Sequence, residues 1–264
     1  MRILVSKLTQ KITWGADPEL FVTNEAGIPV PPVQLLPNVK IVTSFGEEGG
    51  VNRDGIAFEL NPAPSTDPYS VSNRMHKLLQ VGMQRMAEVG LKAIRNVEVT
   101  IGQGLEPDVY EFGCSPDFNA YTRSQNRVPV DPAKYMLRHA GGHITMGLPE
   151  GVNLKWEEVC ELVKLFDYWA GLRSLQWSQS GSAERRKVYG AAGCFRWNEE
   201  KRIVEYRTPD AGWLWNQAYP TLCTRMEHAF CQFVAGVKLA KPKAVVNAIN
   251  TCNWEMAQGL MTFV

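Results

Sequence analysis

The chain carries almost no net charge: 28 lysines and arginines stand against 27 aspartates and glutamates, a formal balance of +1 over 264 residues. No global field therefore draws it to nucleic acid or to an anionic membrane, and neither partner is expected. Long apolar runs are missing too. Nothing approaches the roughly 20 residues of a membrane span, and the opening MRILVSKLTQK holds an apolar run too short for a signal-peptide core. A cytoplasmic location follows as the expectation. The six cysteines (Cys114, Cys160, Cys194, Cys223, Cys231, Cys252) form no CxxC pair, which argues against a zinc knuckle or a disulfide framework and for reduced thiols. No internal repeat, low-complexity tract or linker divides residues 1–264, so a single domain is expected. Any chemistry must come from local clusters.

What is present is the composition of an ordinary globular protein, 45% hydrophobic and 21% charged, enough to bury a substantial core. ELFVT, a turn at 24–27 and IPV predict a hairpin, and GIAFELN predicts a strand after the Asp54-Gly55 turn signal. From Ser70 the period changes: Val71, Met75, Leu78, Leu79, Met83, Met86 and Val89 recur at helical spacing up to Gly90. That methionine stripe reads as core packing. VEVTIG and DVYEFG predict further strands, 114–132 a long polar loop, and GGHITMG another strand. A helix is expected over about 153–175, with Leu162, Phe166 and Trp169 on its inner side. RKVYGAAGCFRWNEEKRIVEYRT predicts two strands around a turn near 198–200, and two helices, about 217–239 and 242–258, follow. This order predicts an α+β fold with a largely antiparallel sheet and packed helices.

Within those strands sit residues that a buried sheet does not need. In WGADPELFV, Asp17 and Glu19 are two apart and share a face, and Pro18 confines the segment to a sheet edge or strand start. Asp54 belongs to a turn, and Glu59 faces away from its neighbours Phe58 and Leu60. His143 shares a face with Thr145 among glycines that admit a close approach to the backbone, and in IVEYRTPDAG Glu205 shares one with Arg207. Each alone reads most simply as a solvated or hydrogen-bonded structural residue. Together they ask for cations, because converging carboxylates repel unless a hard divalent ion such as Mg²⁺ or Mn²⁺ lies between them. Arg185, Arg186, Arg196 and Arg207 suit phosphate or carboxylate oxygens, since a guanidinium matches them in pairs. Metal plus arginine is the usual equipment for phosphoryl transfer.

The set GADPELF, DGIAFELNP, GGHITMG, RRKVYGAAGCFR and VEYRTP, spread over about 14–215, resembles the glutamine-synthetase-like carboxylate-amine ligases of bacteriophages, the type 2 group. The resemblance implies a glutamine-synthetase-like catalytic domain. It implies a reaction in which ATP activates a carboxylate to an acyl phosphate that an amine attacks, on small-molecule or peptide substrates, in the host cytoplasm for a phage enzyme. It also implies Asp17, Glu19, Glu59, His143 and Glu205, with Asp54, as ligands of Mg²⁺ or Mn²⁺. By the same resemblance Arg207 neutralises the transferred phosphoryl group or grips the substrate carboxylate, while Arg185, Arg186 and Arg196 serve the nucleotide phosphates.

The chain departs from the family in three respects. Thr145 stands where relatives often carry a second histidine, Asp17 replaces the glutamate usual in glutamine synthetase, and no stretch of these residues reads as a counterpart of that enzyme's separate N-terminal domain, so a similar ring assembly is not expected. Glu111, Asp117 and Glu184 are candidates for the acid that receives the amine. His76, His139 and His228 have no ligand-like neighbours in sequence and are assigned no role, while 213-WLW-215 is expected to pack the sheet end against the next helix. Two other readings compete: a metal-dependent phosphohydrolase, and a non-catalytic phage structural or binding protein that retains the fold.

Overall fold

The computed structural model describes residues 11–37, 42–111, 117–126, 130–131 and 134–261. Its centre is strand β1 (Thr13–Thr23), whose alternation sends Trp14, Ala16, Leu20 and Val22 to one side and Asp17 and Glu19 to the other. β1 pairs with β2 (Pro29–Val30), as the ELFVT/IPV pattern predicted. A short β3 (Thr43–Ser44) then leads into the hairpin β4 (Gly49–Asp54) and β5 (Ala57–Pro62), turning at Asp54-Gly55 where Gly55 takes φ 54°.

Helix α1 (Pro68–Glu88) follows. Asp67 caps it by accepting from the Tyr69 and Ser70 amides at 3.1 and 3.0 Å, and the chain leaves it through Gly90 at φ 70°. Its Val71, Met75, Leu78 and Met86 are buried in the main core, while Met83 is exposed. Each fully buried apolar side chain of this kind contributes about 1.5–3 kcal/mol.

β6 (Lys92–Ile94), β7 (Glu98–Thr100), β8 (Phe118–Asn119), β9 (Ser124–Gln125), β10 (Leu137–His139), β11 (Gly142–Gly147), β12 (Cys194–Asn198) and β13 (Ile203–Tyr206) complete the strands. The main sheet runs β3-β4-β5-β1-β11-β13-β12-β8-β9, with β2 and β6 also on β1, and its strands pair antiparallel throughout the described residues. β7 and β10 form a separate pair. Helices α2 (Trp156–Phe166), α3 (Ser182–Val188), α4 (Tyr219–Val234), α5 (Pro242–Asn250) and α6 (Trp254–Met261) fill out the fold. α1, α2 and α4 bury their apolar stripes against the sheet face that carries Ile144, Met146, Val204 and Tyr206. The α+β, largely antiparallel architecture is as expected. None of the described helices is long and apolar enough to cross a membrane.

Several local expectations are corrected. Pro18 lies neither at a sheet edge nor at a strand start. It sits inside β1 at a handover, where the ladder to β11 ends at the Pro18–Gly142 pair and the ladder to β5 begins at Glu19, so its missing N–H is not needed. RKVYG does not start a strand: Gly181 at φ 91° opens α3, and the helix-forming Ala-Glu-Arg-Arg-Lys run outweighs Val188. Its arginines, Arg185 and Arg186, are consequently buried. DVYEFG gives a 3-10 turn at Pro107–Tyr110, where Asp108 meets Arg53 at 2.7 Å; part of the segment lies outside the described residues. The loop expected over 114–132 holds the short pairs β8 and β9, and Cys114 falls outside the described residues.

The helix expected over 153–175 starts at Trp156, with the Glu158 carboxylate accepting from the Lys155 amide at 2.7 Å. It then passes through a π-turn at Asp167–Gly171. The last expected helix is broken into α5 and α6 at Cys252, φ 51°. Trp213 packs as expected, donating its Nε1–H to the Gly142 carbonyl at 2.9 Å and stacking near Tyr219.

Candidate functional site

The face of the sheet turned away from the helices collects the charged residues of five strands. β1 pairs Asp17 with His143 of β11 and Glu19 with Glu59 of β5; β11 pairs Thr145 with Glu205 of β13; β12 pairs Arg196 with Glu205. Because side chains directly opposite one another in a ladder point the same way, these pairings place Asp17, Glu19, Glu59, His143, Thr145, Arg196 and Glu205 on one surface. Asp54, two residues beyond Asn52, joins them because Asn52 pairs with Glu59.

Two groups of ligand-type atoms result. Asp17, His143 and Glu205 bring one donor atom each within 4.8 Å of one another, and so do Glu19, Asp54 and Glu59. In the first group, His143 Nδ1 lies 3.2 Å from Asp17 Oδ2 and 3.5 Å from Glu205 Oε1. The ring folds back over Gly141: a Cβ there would stand 2.6 Å from His143 Nε2, so only glycine leaves the imidazole room. In the second, the Gly141 amide donates to Glu19 Oε2 at 2.6 Å, and Asn61 donates to Glu59 Oε1 at 3.1 Å while also contacting Asn52. Asn52 and Asn61 are additions that sequence reasoning missed. They stand two residues from Asp54 and Glu59, and the same alternation that selected those acids also places them on this face.

Burial dominates the electrostatics. It pushes the Asp17 carboxyl up to about 6, against the pull of Arg207 and Arg196. It pushes Glu19 up to about 8, with Asp54 the next contributor, and Glu59 well above the usual range, with repulsion from Asp17, Glu19 and Asp54 added. His143 is held well below its ordinary value by burial and then by Arg207. Carboxylates assembled this way keep protons unless positive charge replaces them. Asp17 Oδ1, Glu205 Oε1 and His143 Nε2 are buried without a hydrogen-bond partner among the described residues. Two carboxylates with an imidazole, beside three carboxylates, form a donor set that fits hard divalent ions. On these observations the residues fit Mg²⁺ or Mn²⁺.

The arginines divide into two kinds. Arg196 Nη1 donates to Glu205 Oε2 at 3.0 Å, which leaves Oε1 facing His143. Arg207, 1% exposed, lies between Glu205 Oε1 at 3.3 Å and Asp117 Oδ1 at 3.5 Å. Both therefore belong to the charged face. Arg185, fully buried on α3, donates to the carbonyls of Thr208 and Arg207 at 2.9 and 3.0 Å and stacks on Tyr189, so it braces the end of β13. Arg186 contacts the Ser182 carbonyl and the Cys252 sulfur, away from the carboxylates. Their placement followed from the helix that replaced the expected strand.

A polar cleft adjoins the second group, lined by Glu19, Asp54, Glu111, Arg138, His139, Tyr189 and Arg207 over a floor of Phe21, Ile56 and Ala57. Of the three acids considered for the amine, Glu111 lines this cleft and Asp117 contacts Arg207, whereas Glu184 is ion-paired to Lys187 at 2.6 Å on the surface of α3. His139, assigned no role from sequence, is buried there with Nδ1 3.4 Å from Glu98 Oε2. Burial lowers it to about 4.

No protein-family description matches the chain, and no curated protein matches it. A solved structure described as a novel glutamine synthase homolog aligns with 99% of this chain and 70% of its own, at 11% identity and a TM-score of 0.43. A likeness this distant carries no chemistry, which has to come from the residues of this chain.

Proposed function

We propose that this protein is an ATP-dependent ligase that joins a carboxylate to an amine through an acyl phosphate. The observation that supports this reading is the adjacency, on one sheet face, of two acidic groups and two guanidinium groups that meet at Glu205. Asp17, His143 and Glu205 would hold one divalent ion, and Glu19, Asp54 and Glu59 another. When bound, such ions supply charge neutralisation and Lewis acidity to phosphate oxygens.

The chain's own groups do the rest. Arg207 meets the transferred phosphoryl group or the substrate carboxylate, held in place by Asp117 and Glu205. Arg196 keeps Glu205 turned toward His143 and adds positive charge for phosphate. Arg185, held by the Thr208 and Arg207 carbonyls, lends its charge to the site, lowering the carboxyl pKa of Glu19. Glu111, which lines the cleft, and Asp117, beside Arg207, would receive the amine. No protein nucleophile is required, because positioning and charge stabilisation carry phosphoryl transfer.

The test is ADP formation with Mg²⁺ across a panel of carboxylates, using hydroxylamine as the amine so that the product is a hydroxamate. ADP release that depends on both partners supports the ligase. Phosphate release from an ester without ATP points instead to a phosphohydrolase, and no rise in melting temperature at millimolar MgATP points to a non-catalytic protein.

A further inference from the structure

On the helical side of the sheet, opposite the carboxylates, two hollows adjoin across a ridge formed by Tyr168 and Trp169, which line both. Their cavity volumes are about 290 and 260 Å³. The ridge exists because of the π-turn at Asp167–Gly171. That turn tucks Asp167 fully inside, where it accepts from Tyr206 Oη at 2.7 Å, and leaves the next two rings at the surface. Such turns recur at functional positions. The ridge is held rigidly: Tyr168 donates its hydroxyl to the Leu260 carbonyl at 3.1 Å, and the Trp169 ring lies 4.0 Å from that of His228.

The first hollow is floored by Leu165, Leu239 and Leu260, and its charged lining is Lys238 and Lys241. The second is walled by Trp254 and Met261, and its charged lining is Arg173 and Arg225. Among the described residues four cations thus rim the pair and no acid does; Glu227 on α4 and Glu255 on α6 line neither hollow. Arg173 stands over Trp177 and Trp254 at 5.7 and 5.9 Å, with a buried Nε that has no hydrogen-bond partner among the described residues. Arg225 and Lys238 have no ion-pair partner there either.

We infer that this surface docks an acidic peptide segment that places one bulky apolar side chain on each side of the Tyr168–Trp169 ridge. Charge complementarity selects the partner: the leucine floor of the first hollow and the Trp254–Met261 wall of the second receive the two anchors, and the cationic rim receives flanking carboxylates. A single-stranded nucleic acid fits less well, because the leucine floor of the first hollow offers no ring for base stacking. The rigid ridge means little ordering is needed on binding. The site is independent of the ligase reading, since it lies across the sheet from Glu205.

The experiment is fluorescence anisotropy of the full chain with a fluorescein-labelled peptide that alternates glutamate with leucine and phenylalanine, compared with its lysine counterpart. The acidic peptide should bind at least about tenfold tighter and weaken with added salt. The double change Arg225→Glu with Lys238→Glu should weaken binding by at least about tenfold with an unchanged melting temperature. Glu205→Gln should bind as the parent does. Absence of saturable binding, equal affinity for the lysine peptide, or indifference to the double charge reversal overturns the inference. So does displacement of the peptide by a single-stranded oligonucleotide at lower concentration. Binding that appears only after removal of residues 262–264 assigns the groove to the chain's own end and overturns it as well.

Discussion

Replacing Glu19 by glutamine should stabilise the cation-free protein. The carboxyl is raised from 4.5 to about 8, chiefly by burial. For an acid whose folded pKa lies above its unfolded one, the folded chain binds the extra proton between the two values. Stability is then fully present below about 4.5 and falls as pH rises toward about 8. At about pH 7 the cost is 1.36 kcal/mol per pH unit over the gap from 4.5, or about 3 kcal/mol. Glu19 keeps some contact with solvent at the cleft, which screens this to roughly 2 kcal/mol.

Glutamine cannot ionise, yet its carbonyl can still accept from the Gly141 amide that now reaches Glu19 Oε2 at 2.6 Å. In EDTA at about pH 7, Glu19→Gln should raise the melting temperature by about 4–8 °C, at roughly 2–4 °C per kcal/mol for a chain near this size. The gain should shrink at about pH 5. Millimolar Mn²⁺ should then raise the melting temperature of the parent by more than that of the variant, which keeps the Asp17–His143–Glu205 group intact. Differential scanning fluorimetry over about pH 5–8, with EDTA or Mn²⁺, reads all of this. If parent and variant melt together throughout, or if Mn²⁺ stabilises both alike, burial is not straining this carboxyl and the second acidic group is not a cation site.

Other outcomes follow from the same geometry. Glu205→Gln and Glu59→Gln should each lower ADP formation by at least about a hundredfold, with circular dichroism and melting curves showing an intact fold. Gly141→Ala should weaken Mn²⁺ binding at least about tenfold by isothermal titration, because its methyl would stand 2.6 Å from His143 Nε2 and turn the ring away. Tyr206→Phe should cost about 1–3 kcal/mol in urea unfolding, since it deprives the buried Asp167 carboxyl of its 2.7 Å donor. That carboxyl is already raised to about 7 by burial.

The sequence by itself determined which residues share a face. Alternation within a strand is a local property, so Asp17 with Glu19, and Glu205 with Arg207, could be read from spacing two, just as the stripe of α1 could be read from spacing three and four. Local signals failed where two propensities competed, as in α3, where Val188 and Tyr189 suggested a strand and the preceding Ala-Glu-Arg-Arg-Lys run made a helix. Only the tertiary structure decided strand order and register. Asp17 meets His143 across 126 residues, and Pro18 sits mid-strand because β1 changes partners there. The same holds for burial: Arg185 and Arg196 look alike in sequence, yet one is locked to carbonyls and the other faces the carboxylates. Register and desolvation depend on what the rest of the chain lays against a residue, and no short stretch of sequence contains that information.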